Sequence, residues 1–394
     1  MGEQVFCDEA ELKVGICLDC ARHASLKRAI SEKSSKGLCG LCERADVVIG
    51  NPEDATALIM LLRSLIRFYW HEYEYNPHFG GDDPLALLAM EDNPVAEPPK
   101  GNTYRDELEY TLFDPPYVAV DKGISIYAGF DEGIRCANFA ISSSSHLELS
   151  RIGSRLLREN FVEVEPSLEK LLAPFIDELS YTLPTGSVWF RARLGQKARF
   201  RQIDGWDSVE RRQPWQGDDI GAPPPILAGN GRLNRTGVSV LYLASNVETA
   251  VAEIRPHPGH YVSVGGFQND EDLRIAAFNP DIFDFSTNDL RLDYFHIIND
   301  LDKMMSFPVV PEEKSKYLLT QLLAELLHRQ GFDGVKFRSS VADGENICIF
   351  NSRKCSFVDG YSSILKVKSL KYSFENSPTV MNPDNEDLLF KLKT

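Results

Sequence analysis

Apolar positions recur at two different periods along the chain, and the change of period divides it. In ATALIMLLRSLIRFYWHEYEY, residues 55–75, Leu58, Leu61, Leu62, Leu65, Ile66 and Tyr69 return every three or four positions. That spacing predicts a core-facing helix, with Asp54 placed to cap its first turn. A second helical stretch, SRIGSRLLRENFVEVEPSLEKLLAPFIDELS at residues 150–180, should break at Glu165-Pro166, because proline disfavours helical backbone in the residue before it. Between them, residues 80–100 read as a loop-rich connector with a short helix, and YVAV and ISIYAGF suggest a few strands.

From about Leu183 the pattern shortens. SVWFRARL, VLYLAS, YVSVGGFQ, LRIAAFN, FDGVKFRSS and NICIFN read as strands, alternating with the helical runs VETAVAEIR and KSKYLLTQLLAELLHRQG. The expected organisation is an α+β protein in four parts: a cysteine-bearing segment at 1–48, a mainly helical domain at 49–182, a mixed domain at 183–374 and a polar tail at 375–394.

Charge and composition narrow the function classes. Of 394 residues, 43% are hydrophobic and 25% charged, the balance of a globular protein. A net charge of -16 repels phosphate backbones and anionic lipid on average, so nucleic acid and membrane are not the expected partners. The start, MGEQVFCDEAELKVG, lacks the basic-then-apolar order of a signal peptide, and the expected location is the cytoplasm.

Four of the eight cysteines form two C-x-x-C pairs, Cys17/Cys20 and Cys39/Cys42, separated by 18 residues. Two tight turns at that distance can offer four thiolates to one tetrahedral ion, so the segment reads as a zinc ribbon with a structural, closed site. A buried or redox-active dithiol is the alternative. Gly40 occupies a turn position suited to positive φ, Lys27, Arg28, Lys33 and Lys36 could offset the thiolate charge, and His23 is a substitute donor for one thiolate. Packing suffices for Cys7, Cys136, Cys348 and Cys355. Arg67 and His71 stand four apart on the first helix, closer than the Arg-x(4–6)-His pattern of helical HEPN nucleases, so a structural pair is the simpler reading.

The mixed domain carries the candidate chemistry. Arg191 and Arg193 lie on a strand and open a basic island of Lys197, Arg199, Arg201, Arg211 and Arg212. A guanidinium can grip a diphosphate bidentately, which favours a binding role for Arg191, while Arg199 to Arg212 read as a solvated loop. Next, Arg232 and Asn234 place donors beside Gly237, before a strand bearing Tyr242 and a helix bearing Glu253. Ser339 and Ser340 end a later strand, where hydroxyls can reach a ribose or phosphate.

In order and local context these stretches resemble the RES-domain family, over roughly residues 183–360. VWFRARLG matches at the arginine, GRLNRTGVSVLYLASNVETAVAE at the Gly-Arg, Tyr and Glu elements, and YLLTQLLAELLHRQGFDGVKFRSSVADGENICIF at the serine. The resemblance implies a fold similar to ADP-ribosyltransferases, NAD as substrate and cleavage of its nicotinamide–ribose bond. Arg191, Glu253 and Ser339 become the catalytic candidates, with Arg191, Arg232, Tyr242, Asn234 and Ser340 binding NAD. The implied activity is that of a toxin-like enzyme that hydrolyses or phosphorolyses NAD; the alternatives are a protein mono-ADP-ribosyltransferase and an inactive NAD-sensing zinc-containing binding protein. A Xre-type antitoxin or another regulatory protein is an implied partner. Residues 1–180 resemble the HEPN/RES-type N-terminal extension of longer members, with a scaffold, regulatory or docking role. Short toxin members lack that extension, which leaves the antitoxin pairing open here.

Overall fold

The computed structural model of the chain describes residues 13–50, 55–70, 84–89, 94–113, 140–204, 206–309, 311–371 and 374. At its N-terminal end, β1 (Val14–Gly15), α1 (Ala24–Glu32), β2 (Ser34–Cys39) and β3 (Val47–Gly50) form a small sheet of order β1-β2-β3 with one helix. His23 caps that helix, its Nδ1 accepting the Ser25 N–H at 3.2 Å, so the imidazole serves the backbone rather than an ion. Gly40 needs no positive φ, which falls on Glu43 (58°) and Asp46 (56°) instead. What disfavours a side chain there is crowding: a Cβ would stand 3.0 Å from Val14 Cγ1 and 3.1 Å from Leu108 Cβ, so its neighbours would have to give way.

Helix α2 (Thr56–Tyr69) buries Leu58, Leu61, Leu62, Leu65 and Ile66, as their spacing predicts. Ala55 is its N-cap and makes no side-chain bond; Asp54 and His71 lie outside the described residues. Arg67 donates to Asp289 Oδ1 at 3.2 Å. Then come α3 (Pro84–Leu88), inside the expected connector, and α4 (Arg105–Leu108), continued by a π-helical turn at Glu109–Phe113. The strands expected at YVAV and ISIYAGF, and the tail from Glu375, also fall outside the described residues.

The next helical stretch breaks earlier than expected. Helices α5 (Leu147–Leu156) and α6 (Phe161–Leu172) are separated at residues 157–160, and Pro166 lies inside α6. Asn160 takes extended backbone (φ -73°, ψ 149°) as N-cap. Arg155 ties the turn together, donating to Glu159 Oε2 and to Ser167 Oγ, both at 2.7 Å. Pro166 leaves the Val162 carbonyl without its helical donor, but Val162 is exposed and water can serve it.

The remaining elements are β4 (Ser180–Leu183), β5 (Val188–Leu194), β6 (Ala198–Asp204), β7 (Asp207–Gln213), β8 (Leu241–Ala244), α7 (Val247–Glu253), β9 (Tyr261–Asn269), β10 (Leu273–Ala277), α8 (Ile282–Phe285), α9 (Asp289–Ser306), α10 (Leu318–Arg329), β11 (Gly334–Arg338), β12 (Glu345–Ile349) and β13 (Cys355–Lys366). The fold is α+β. Eight strands share one mixed sheet of order β13-β9-β5-β8-β12-β11-β10-β4. The basic island is no loop: β6 and β7 pair as an exposed hairpin, where Arg199 and Arg212 both meet Glu210.

One junction in the sheet matters for function. Strands β5 and β9 pair over seven positions, from Val188↔Gln268 to Leu194↔Val262, but β5 and β8 share only Phe190↔Ala244. The sheet therefore opens between β5 and β8 immediately beyond that pair. Helices α9 and α10 cover the far half of the sheet, and their buried Leu292, Phe295, Leu301, Leu322 and Leu326 belong to one hydrophobic cluster with Leu61 and Leu65 of α2, Leu168 of α6, and Cys17 and Cys39. The N-terminal half and the helical layer of the C-terminal half thus share a core. Ion pairs reinforce the contact, from Arg63 to Asp289 at 2.6 Å and from Arg28 to Asp281 and Asp284, both at 2.9 Å.

Candidate active site

A cavity of about 450 Å³ occupies the opening between β5 and β8, lined by Arg191, Arg232, Tyr242, Glu253, Arg255, Tyr317, Ser340 and Asn346 among others. Its size suits a small-molecule ligand. Arg191 reaches across the open junction, its Nη1 donating to the Tyr242 carbonyl at 2.9 Å, a bond that takes the place of a missing sheet rung. Burial pushes its guanidinium below the usual arginine range, with repulsion from Arg193 adding to the effect. Among the described residues Arg191 has no carboxylate partner. Arg193, in contrast, points away, bonding the Asp219 carbonyl and lying over the Trp215 ring at 4.4 Å.

Arg232 caps the end of α9, donating to the carbonyls of Met304 and Phe307 at 2.7 Å each, with its guanidinium carbon 5.2 Å from the Tyr317 ring centre. Its remaining N–H groups and its charge stay with the cavity. Gly237 makes the following turn at φ 85°. Asn234 is committed to the same loop: its Nδ2 donates to the carbonyls of Gly229, Arg235 and Val238, and its Oδ1 accepts from Tyr242. The amide holds the loop's shape instead of lining the cavity. Tyr242 Oη in turn accepts the Leu233 N–H at 2.9 Å, so the hydroxyl is buried and locked while the ring forms cavity wall. Burial pushes that phenol well above its ordinary range.

Glu253 closes the constellation. It ends α7, a helix started by Asn246, whose Oδ1 accepts the Thr249 N–H at 2.8 Å. Two donors from distant strands converge on one of its oxygens, Ser339 Oγ at 2.7 Å and Asn346 Nδ2 at 2.5 Å, both to Oε1. Oε2 receives no hydrogen bond among the described residues. The serine pair divides its tasks, Ser339 holding the carboxylate and Ser340 lining the cavity. Arg191, Arg232, Tyr242, Glu253 and the serines are therefore brought together from β5, the 231–237 loop, β8, α7 and the end of β11. Asn346, Arg255 and Tyr317 are cavity residues that the motif reading misses.

The family profile described as "RES domain" matches residues 204–372. This part of the chain is a RES domain. Strands β4 and β5, and with them Arg191, precede the matched span yet belong to the same sheet. No curated protein matches the chain. Among solved structures, a chain of "Crystal structure of the M.tuberculosis MbcT-MbcA toxin-antitoxin complex" aligns at 10% identity over 51% of this chain and 94% of its own, with a TM-score of 0.29. No helix among the described residues is long and apolar enough to cross a membrane.

Ahead of the RES domain, the ligand atoms of Cys17, Cys20, Cys39 and Cys42 all lie within 4.8 Å of one another. Four sulfurs at about 2.3 Å from a tetrahedral ion stand about 3.8 Å apart, and Cys17 Sγ to Cys42 Sγ measures 3.9 Å. The donor set fits zinc in a closed, ribbon-like site. The hydrogen bond from Cys20 pulls Cys39 down to about 4, while the same bond and burial raise Cys20. The cation beside these sulfurs is Arg44, donating to Cys42 Sγ at 3.2 Å and Cys17 Sγ at 3.6 Å. Of the expected cations, Lys36 pairs with Asp46 at 3.6 Å and Arg28 is taken up by Glu32, Asp281 and Asp284. Cys348 is fully buried in β12, as packing predicts, and Cys355 partly so; Cys7 and Cys136 lie outside the described residues.

Proposed function

We propose that the RES domain consumes NAD by breaking its nicotinamide–ribose bond, in the manner of a toxin-type enzyme. The observation that carries the reading is Glu253, whose Oε1 is fixed by Ser339 and Asn346 while Oε2 receives no hydrogen bond among the described residues, in a cavity that also holds the guanidinium groups of Arg191, Arg232 and Arg255. In the reaction, the C1′–N bond of the nicotinamide riboside breaks, its electron pair leaves with neutral nicotinamide, and positive charge grows on the ribose. A fixed carboxylate stabilises that charge more than it stabilises the ground state. When water or phosphate then adds to C1′, Oε2 is placed to accept the proton the nucleophile loses.

Arg191 and Arg232 bind the diphosphate, the Tyr242 ring stacks on the nicotinamide, and Ser339 and Ser340 orient the reacting ribose. Asn234 acts through Tyr242 and the loop rather than by touching NAD. NAD depletion stops growth, so the active enzyme requires restraint in its host, whether by a dedicated partner protein or by the N-terminal half. The zinc-ribbon segment takes no part in the chemistry and serves as scaffold.

The test is product analysis of the purified chain with NAD, with and without phosphate and with and without cell extract, beside Glu253→Gln. Free nicotinamide from the wild type and none from the variant is the expected result. ADP-ribose as co-product means hydrolysis, its 1″-phosphate means phosphorolysis, and a labelled protein means transfer. Full activity in Glu253→Gln would overturn the role given to the carboxylate, and NAD binding with no turnover under any of these conditions would make the domain a sensor.

A further inference from the structure

Arg255, two residues after Glu253, lines the same cavity and matches no motif. Its backbone has φ 46°, in the left-handed region, at the end of α7, where its N–H bonds the Ala252 carbonyl at 2.9 Å. A helix ending of this kind favours glycine. The next residue, Pro256, adds a second penalty, since proline pushes the residue before it toward extended backbone. A strained arginine persists when its side chain is wanted where that backbone sends it.

The side chain is unspent. Its guanidinium has no hydrogen bond or ion pair among the described residues, whereas arginines elsewhere, such as Arg28, Arg63 and Arg291, are tied to carboxylates. It also lies near Arg232, whose guanidinium, pushed down mainly by burial, registers the repulsion of Arg255 and the attraction of Glu253. Neither guanidinium is ion-paired with a carboxylate among the described residues, and two cations on the wall of one cavity are stable together once an anion bridges them.

We infer that Arg255 is a substrate-contacting residue that, with Arg232, clamps one phosphoryl group beside Glu253. The inference rests on the NAD-consuming reading for which phosphoryl group is held: one of the dinucleotide's own, or a free phosphate acting as acceptor. In either case Arg255 contributes binding and placement, and the bond-breaking charge remains with Glu253.

Glycine at this position separates binding from folding, because it removes the charge and relieves the backbone. Arg255→Gly should keep or raise Tm while KM rises about 10-fold or more, equivalent to about 1.4 kcal/mol, with kcat changed much less. Arg255→Lys should recover part of the loss. A rise in KM for NAD in phosphate-free buffer identifies the dinucleotide phosphate; an unchanged KM for NAD with a raised KM for phosphate identifies the acceptor. A Tm that does not fall with both KM values unchanged overturns the inference, and so does calorimetry in which inorganic pyrophosphate binds the wild type and Arg255→Gly equally. That binding arm needs no turnover. Pyrophosphate binding lost in the variant, with no nicotinamide released by the wild type, would uphold the clamp and overturn only the proposed reaction.

Discussion

Asn346 Nδ2 donates to Glu253 Oε1 at 2.5 Å, joining the start of β12 to the last residue of α7. The amide is buried and approaches a carboxylate at the cavity wall, so it fixes the rotamer that leaves Oε2 open. Asn346→Ala removes a hydrogen bond to a charged group, worth about 1.5–3 kcal/mol. A Glu253 carboxylate held by Ser339 alone should lower kcat about 10-fold or more, with KM for NAD nearly unchanged. Steady-state kinetics decide: a rise in KM at constant kcat would make Asn346 a binding residue instead.

Arg191 offers a pH test. Burial lowers the pKa of a cation, Arg191 included, but a guanidinium keeps its proton in proteins. A lysine at the same place starts at about 10.4, so the same burial brings its titration toward the assay range. In Arg191→Lys the cation would therefore be lost as pH rises, and KM for NAD should climb between pH 7 and 9 while the wild type stays flat. A parallel profile for both proteins would mean that residue 191 does not meet the substrate charge.

The split between what the sequence pattern reveals and what it hides has physical causes. Strands such as β8 and the end of β12 at residues 347–349 announce themselves because they are largely buried and continuous in apolar residues. Helix α9 does not: it buries Asp300 and Asp302 among its apolar positions, which interrupts the helical period, and Arg338 meets Asp302 only in the folded chain. The largely exposed edge strand β13 shows no alternation. At the site, Arg191, Glu253 and Ser339 stand in recognisable surroundings, but Asn346 is a lone amide whose partner lies 93 residues away. Asn234 shows the converse. Its place beside Arg232 suggests a ligand, yet three loop carbonyls occupy its donors.

Tyr242 separates loop architecture from binding. Tyr242→Phe keeps the ring on the cavity wall but leaves the Leu233 N–H and Asn234 Oδ1 without their shared partner. Leaving buried groups unsatisfied costs about 1–3 kcal/mol. Urea unfolding should show that loss, and NAD affinity should fall only as far as Arg232 is displaced with the loop. Unchanged stability would show that water replaces the hydroxyl.

Arg44 and the four cysteines give a prediction that does not depend on the reaction. Its guanidinium donates to two of the sulfurs and to Asp19 at 2.6 Å, neutralising part of the charge that four thiolates around a dication would leave. Purified protein should carry one zinc per chain, and Arg44→Ala should weaken zinc against a competing chelator by about 10- to 100-fold. Because Cys17 and Cys39 belong to the hydrophobic cluster that reaches α9 and α10, stripping the metal should lower the melting temperature of the RES domain as well as unfold the ribbon. Two separate transitions on heating, with only the first sensitive to chelation, would show that the shared core does not couple them. Acid should act like the chelator, since the thiolates must take up protons as the ion leaves. A protein that binds no zinc at neutral pH would leave the cysteines as a reduced, buried cluster, and Arg44→Ala would then change little.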